Sequence, residues 1–204
     1  MMGWLWGNSN NDNGMSLYLA AEYGDKVDVR RLVANASIRS FIDWSYSNNH
    51  GCTPLYNASH SGFVDIIIIL LEKGADINKP NNFGSILLFI ACLMGKLEAA
   101  TLLVAKGALI DKSTNSGDIP LLIASEKGHV AIVTLLLKNG ANIDKSQNDG
   151  ITPLMRACEQ GQLTTVQCLL NAGASMELKC DAGTTAKKHA RDKGHSEIVK
   201  CAKS

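Results

Sequence analysis

Glycine recurs along this chain in three interleaved series that share one step. Gly51, Gly84, Gly117, Gly150 and Gly183 stand 33 residues apart, as do Gly62, Gly95, Gly128, Gly161 and Gly194, and likewise Gly74, Gly107, Gly140 and Gly173. Alanine keeps the same step at Ala58, Ala91, Ala124, Ala157 and Ala190, and an apolar slot keeps it at Ile77, Ile110, Ile143 and Met176. Self-similarity at a period of about 20–50 residues marks a chain of stacked structural repeats rather than one irregular core. The fold must satisfy every copy at once.

The physics of one unit can be read from residues 51–83. Thr53 is placed to cap a helix, and Pro54 takes its first position, where the missing N–H costs nothing. Leu55 and Ala58 lie three apart on one face, with Ala small enough for a neighbouring helix to approach closely. Gly62 ends this helix with the positive φ that other residues resist. The stretch 65–73 then presents Ile66, Ile67, Ile69, Leu70 and Leu71 as a wide helical stripe, closed by Gly74. From 76 to 84 the chain is polar apart from Ile77 and Phe83, with Asn78, Pro80, Asn81 and Asn82, and reads as an extended hairpin or turn. One such unit cannot bury its own apolar faces, so it needs neighbours.

The sets Gly51-Cys52-Thr53-Pro54-Leu55 with Gly74-Ala75-Asp76, Gly150-Ile151-Thr152-Pro153-Leu154 with Gly173-Ala174, and Gly128-His129 with Gly140-Ala141-Asn142 resemble the ankyrin repeat. The resemblance covers about residues 13–204. It implies an all-α solenoid of stacked helix–turn–helix units with β-hairpin or turn fingers, in units of about 13–47, 48–80, 81–113, 114–146, 147–179 and 180–204. The chain departs from the family pattern where histidine follows Pro-Leu, having Tyr56, Phe89, Leu122 and Met155, and at Ile86-Leu87 in place of Thr-Pro.

Both ends read as caps. Ala20 and Leu17 take the alanine and leucine slots of a degenerate first unit. Five extra residues fall within 35–42, which puts Trp44 in the slot of Ile77. At the other end Lys187 replaces the core leucine of Leu55, Leu88, Leu121 and Leu154, and Lys203 replaces that of Leu71 and Leu137. Polar outer faces on terminal units keep a repeat stack soluble. Residues 1–12 are expected to be a loose tail, and Met1 with the two caps suggests a complete unit, the alternative being the repeat portion of a larger effector-type protein.

Composition removes several function classes. Lys plus Arg number 20 and Asp plus Glu 19, a formal charge of +1, so no basic field draws in nucleic acid. The longest apolar run, 66–71, is far short of the ~20 residues of a membrane span. Residues 1–7 lack a secretory pattern and, with Gly7 where Ser or Thr belongs, a myristoylation pattern. Six scattered cysteines without a CxxC pair suit a reducing compartment, which points to the cytoplasm and also admits the nucleus.

No hydrolase, protease, nucleotide or dinucleotide signature occurs. Cys92 and Cys158 follow core alanines, where burial without a basic neighbour leaves a thiol inert. His129 and His195 follow turn glycines, where the resemblance implies a structural role. His50, Cys52 and His60 are the nearest approach to a metal cluster, and a small metal-dependent protein or enzyme built on them is the alternative to a non-catalytic scaffold. The scaffold reading needs no cofactor and takes another protein or peptide as partner, without nucleic acid or membrane, on a chain that is monomeric by itself.

The resemblance carries the partner surface to the finger tips and inner helices: Asn49, His50, Asn82, Phe83, Asn115, Ser116, Asn148 and Asp149 at the tips, and His60, Leu93, Met94, Glu126, Lys127, Glu159 and Gln160 on the helices. Along the stack these positions run from an aromatic and apolar middle to a charged C-terminal half. Leu93 and Met94 are open to two readings, partner contact or packing against the fingers. The resemblance also makes Asn78, with Asp76 two before it and Leu70 eight before it, an acceptor for the hydroxylase that modifies asparagine in animal ankyrin repeats.

Overall fold

The computed structural model describes residues 10–35, 40–46 and 50–201. Among them run α1 (Asn10–Tyr23), α2 (Lys26–Val33), α3 (Pro54–Ser61), α4 (Val64–Glu72), α5 (Leu87–Leu93), α6 (Leu97–Ala105), α7 (Pro120–Lys127), α8 (Val130–Lys138), α9 (Pro153–Glu159), α10 (Leu163–Asn171), α11 (Ala186–Asp192) and α12 (Ser196–Cys201). The odd-numbered helices contact one another in order and form an inner layer, and the even-numbered ones form an outer layer in the same order. No described helix is long and apolar enough to cross a membrane.

The caps behave as the local sequence requires. The Thr53 side chain accepts from the Tyr56 N–H at 3.1 Å, the Thr152 side chain accepts from Met155, and Gly62 closes α3 at φ 83°. Ile86 and Ile119 occupy the same cap position without a side-chain bond, and α5 and α7 form nonetheless. Both isoleucines are fully buried. Burying such a side chain stabilises by about 1.5–3 kcal/mol, which exceeds the ~1 kcal/mol a cap supplies.

Ala58, Ala91, Ala124, Ala157 and Ala190 have no exposed surface, and neither do Leu55, Leu88, Leu121 and Leu154. They hold the inner layer together, while Ile66, Ile67, Leu70, Leu103 and Leu136 join it to the outer layer. Lys187 in the leucine slot of α11 is half-buried. Lys187→Leu should therefore leave stability within about 1 kcal/mol of wild type while adding apolar surface at the C-terminal face. Light scattering should then show a higher apparent mass, and a strictly monomeric variant would count against that face being open. Lys203 lies outside the described residues.

Three features add to the sequence reading. Of the two forms expected for the fingers, hairpin or turn, the structure has the turn: the only bridge among the described residues pairs Tyr46 with Cys52. Each finger is a turn, closed by Asn81 N–H to Ser85 O at 3.0 Å, Thr114 to Asp118 at 2.9 Å, Gln147 to Ile151 at 3.0 Å and Cys180 to Thr184 at 3.1 Å. Second, α1 begins at Asn10, three residues inside the stretch 1–12 assigned to a loose tail; residues 1–9 lie outside the described ones. Third, the insertion of the first unit is tied to an aromatic cluster. Trp44 stacks on Tyr46 with centroids 6.0 Å apart and meets Tyr18 edge-on at 6.2 Å. A Cβ at Gly14 would lie within 2.6 Å of the Trp44 ring, so this helical position accepts only glycine while Trp44 stays in place. Residues 36–39 of the insertion are outside the described ones.

Candidate functional site: an open groove on the inner face

Successive fingers are stitched by main-chain bonds: Asn82 N–H to His50 O, Asn115 N–H to Phe83 O and Asp181 N–H to Asp149 O, each 2.9 Å. The tip asparagines reinforce the stitching. Asn115 Nδ2 donates to Asn82 O at 3.0 Å and Asn148 Nδ2 to Asn115 O at 3.5 Å, and the Asn82, Asn115 and Asn148 side chains cover Gly51, Gly84 and Gly117 of the preceding finger. These three asparagines, assigned to partner contact from the sequence, thus hold the fingers in register as well as being exposed. Ser116 Oγ donates to Asp118 Oδ2 at 2.6 Å, and Asp149 Oδ1 accepts from Ile151 N–H at 3.1 Å. Asn49 lies outside the described residues.

After Gly128, Gly161 and Gly194 the next residue caps the inner helix of the unit before it. His129 Nε2 lies 3.4 Å from Leu93 O, Gln162 Nε2 donates to Glu126 O at 3.1 Å, and His195 Nε2 is 3.0 Å from Glu159 O. Those carbonyls end their helices without intrahelical partners, so the contacts have a plain structural purpose. Asn78 serves a second ladder. Its Oδ1 accepts from Leu109 N–H at 3.0 Å, as Asp111 accepts from Asn142 and Asp144 from Ser175.

His50, His60, Phe83, Leu93 and Met94 come together around one open groove of about 320 Å³ between α3, α5 and two fingers. His50 adopts φ +55°, a left-handed conformation that histidine visits more readily than most side chains. Its ring lies 4.8 Å from that of Phe83. Phe83 is 55% and Met94 40% exposed. Leu93 is half-buried, packs on the core and also lines the groove.

Cys52 also lines this groove, and burial pushes its thiol up. Although His50, Cys52 and His60 share the groove, no three His, Cys, Asp or Glu side chains converge as a ligand set among the described residues. Burial likewise raises the Cys92 thiol and takes Cys158 up to about 12.

Farther along, the surface is charged. Arg156 Nη1 binds Glu159 at 2.9 Å, and its Nε lies 3.6 Å from Glu126, which also pairs with Lys127 at 3.0 Å; Lys193 reaches Glu159 at 3.6 Å. Gln160 is exposed beside this network.

Sequence reasoning missed Arg156, the hub, and with it a whole row. Asn57, Ile90, Ile123, Arg156 and His189 each precede a core alanine, so the same 33-residue step would have found them. It also missed Cys180, buried at the last finger. A 2.9 Å contact with the Thr184 hydroxyl, aided by His189 Nε2 at 3.9 Å, holds that thiol at about 7.

A family model described as ankyrin repeats in three copies matches residues 4–81, 77–147 and 142–201. No curated protein matches the chain. With the glycine register, the paired helices and the stitched fingers on one footing with that match, the chain belongs to the ankyrin-repeat family.

Proposed function

We propose that this chain is a non-catalytic scaffold that binds another protein through the groove at Phe83 and Met94 and the neighbouring finger tips. Ankyrin repeats are in general protein–protein interaction modules. The observation that carries the reading here is the pair of large apolar side chains left exposed beside one groove, Phe83 and Met94. Exposed apolar surface of this kind marks interaction sites, and methionine adapts to varied partners. The charged surface around Arg156 supplies a rim that favours encounter and orientation over affinity.

A partner recovered by affinity capture and mass spectrometry provides the test. Phe83→Ala with Met94→Ala should weaken its binding by about 2 kcal/mol or more, because a few central contacts carry most interface energy. Lys127→Ala with Gln160→Ala, both exposed, is the rim control and should alter the association rate and salt dependence more than the affinity. Thermal midpoints should match wild type for both pairs. A stability loss as large as the binding loss would return Phe83 and Met94 to packing, and unchanged affinity would move the site elsewhere.

A further inference from the structure

Asn57 occupies a slot that the next two repeats fill with isoleucine and the last two with Arg156 and His189. One and two repeats on, the equivalent residues are Ile90 and Ile123, 4% and 8% exposed, in the same place before the core alanine. Asn57 is 7% exposed, lines the groove, and its Nδ2 has no hydrogen-bond partner among the described residues. A buried donor left unsatisfied costs folding free energy, and native proteins retain few of them. Packing therefore does not call for an amide at residue 57, and the local repeat offers a more stabilising residue. What the residue supplies is an amide on the lining of an open cleft, its Nδ2 shielded in the free chain and brought to the cleft by a turn of the side chain.

The other lining residues restrict what could accept from it. Among those lining the groove, Glu22 is the one with a fixed charge, and no Lys or Arg is present. A carboxylate or phosphate acceptor would face that like charge without a fixed countercharge and would lose its hydration on entry. A neutral carbonyl meets no such penalty. The exposed rings and chains of Phe83 and Met94 call for apolar surface, and Glu22, exposed near the end of α1, calls for a cation. A volume of about 320 Å³ suits one anchor residue with its adjoining backbone.

We infer that the groove receives an extended segment of a partner protein that sets a main-chain carbonyl against Asn57 Nδ2, one large apolar side chain against Phe83 and Met94, and a neighbouring Lys or Arg beside Glu22. This rests on the scaffold reading and narrows it to one class of peptide.

The test selects a phage-displayed library of random linear peptides on the full chain. The best sequence, synthesised with acetylated and amidated ends, is then titrated calorimetrically. Selected peptides should share an aromatic or large aliphatic residue within a few positions of Lys or Arg. Asn57→Ile should lower affinity roughly tenfold or more, because the peptide carbonyl is left buried without a donor, while the thermal midpoint stays equal or rises. Asn57→Ala, which cannot overpack, should lose affinity alike. Glu22→Gln should weaken binding several-fold at low salt and less at high salt.

Unchanged affinity in both Asn57 variants, enrichment of acidic peptides, or no enrichment at all would overturn the inference. If binding then still falls with Phe83→Ala and Met94→Ala, only the Asn57 assignment fails. If a selected peptide ignores all of these changes, the groove reading fails with it.

Discussion

Replacing Ala124 by Glu is expected to remove about 4 kcal/mol or more of stability and to shift the urea midpoint far below that of wild type. Ala124 has no exposed surface on α7, an inner helix in contact with both α5 and α9. The methyl group is what lets these helices approach. A glutamate there must push the neighbours apart and also bring a carboxylate into a fully buried site, and each effect alone is a recognised cause of severe destabilisation. Protonating the carboxylate removes the charge but not the bulk, so acid should recover only part of the loss. A wild-type midpoint for the variant would contradict the stacking of α7 between its neighbours.

Leu121→Ala should cost about 2–5 kcal/mol, through lost burial and the cavity left behind. Leu121 is fully buried in the middle of the stack, in the slot that Leu55, Leu88 and Leu154 fill in other units. Stability in a repeat array is approximately a sum of unit and nearest-neighbour terms, so damage at a central interface weakens the coupling of the two halves. Hydrogen exchange should accordingly show amides of α7 and α8 losing protection most, with the unfolding transition broadening as the halves separate. A uniform loss along the whole chain would mean that the stack unfolds as one cooperative block. Lys187, half-buried in the same slot of α11, gives the contrast: truncating it should cost less than truncating the fully buried Leu121.

The 33-residue register was readable because every repeat solves the same local problem. A positive φ at a turn suits glycine, close helix approach suits alanine, and a helix start suits Thr-Pro; each requirement leaves its mark at a fixed spacing. The helix pairs, the buried alanines and the structural placement of His129 and His195 follow from it, and so does the collection of His50, His60, Phe83, Leu93 and Met94 on one face. Even the cap lacking at Ile86 did no harm, because the register, not any single turn, sets where α5 begins.

Other properties required knowledge of which atoms meet across repeats. A tip asparagine has the same composition whether it faces a partner or donates to the previous finger, and only the 3.0 Å contact of Asn115 with Asn82 distinguishes the two. Leu93 and Met94 are adjacent apolar residues, yet helix rotation half-buries one and exposes the other. His50, Cys52 and His60 are close in sequence and line one groove without converging as ligands, since metal binding depends on side-chain direction as well as neighbourhood.

The row from Asn57 to His189 shows where the division falls. Its spacing is present in the sequence, but its meaning depends on burial. Asn57 is ordinary if exposed and costly if its amide is buried without a partner, and that is decided by the repeats packed on either side of it. Local sequence determined the unit and its period, because backbone conformation and helix capping act over a few residues. The tertiary stack decided the site, because solvation and hydrogen-bond satisfaction are set by neighbours about 33 residues away.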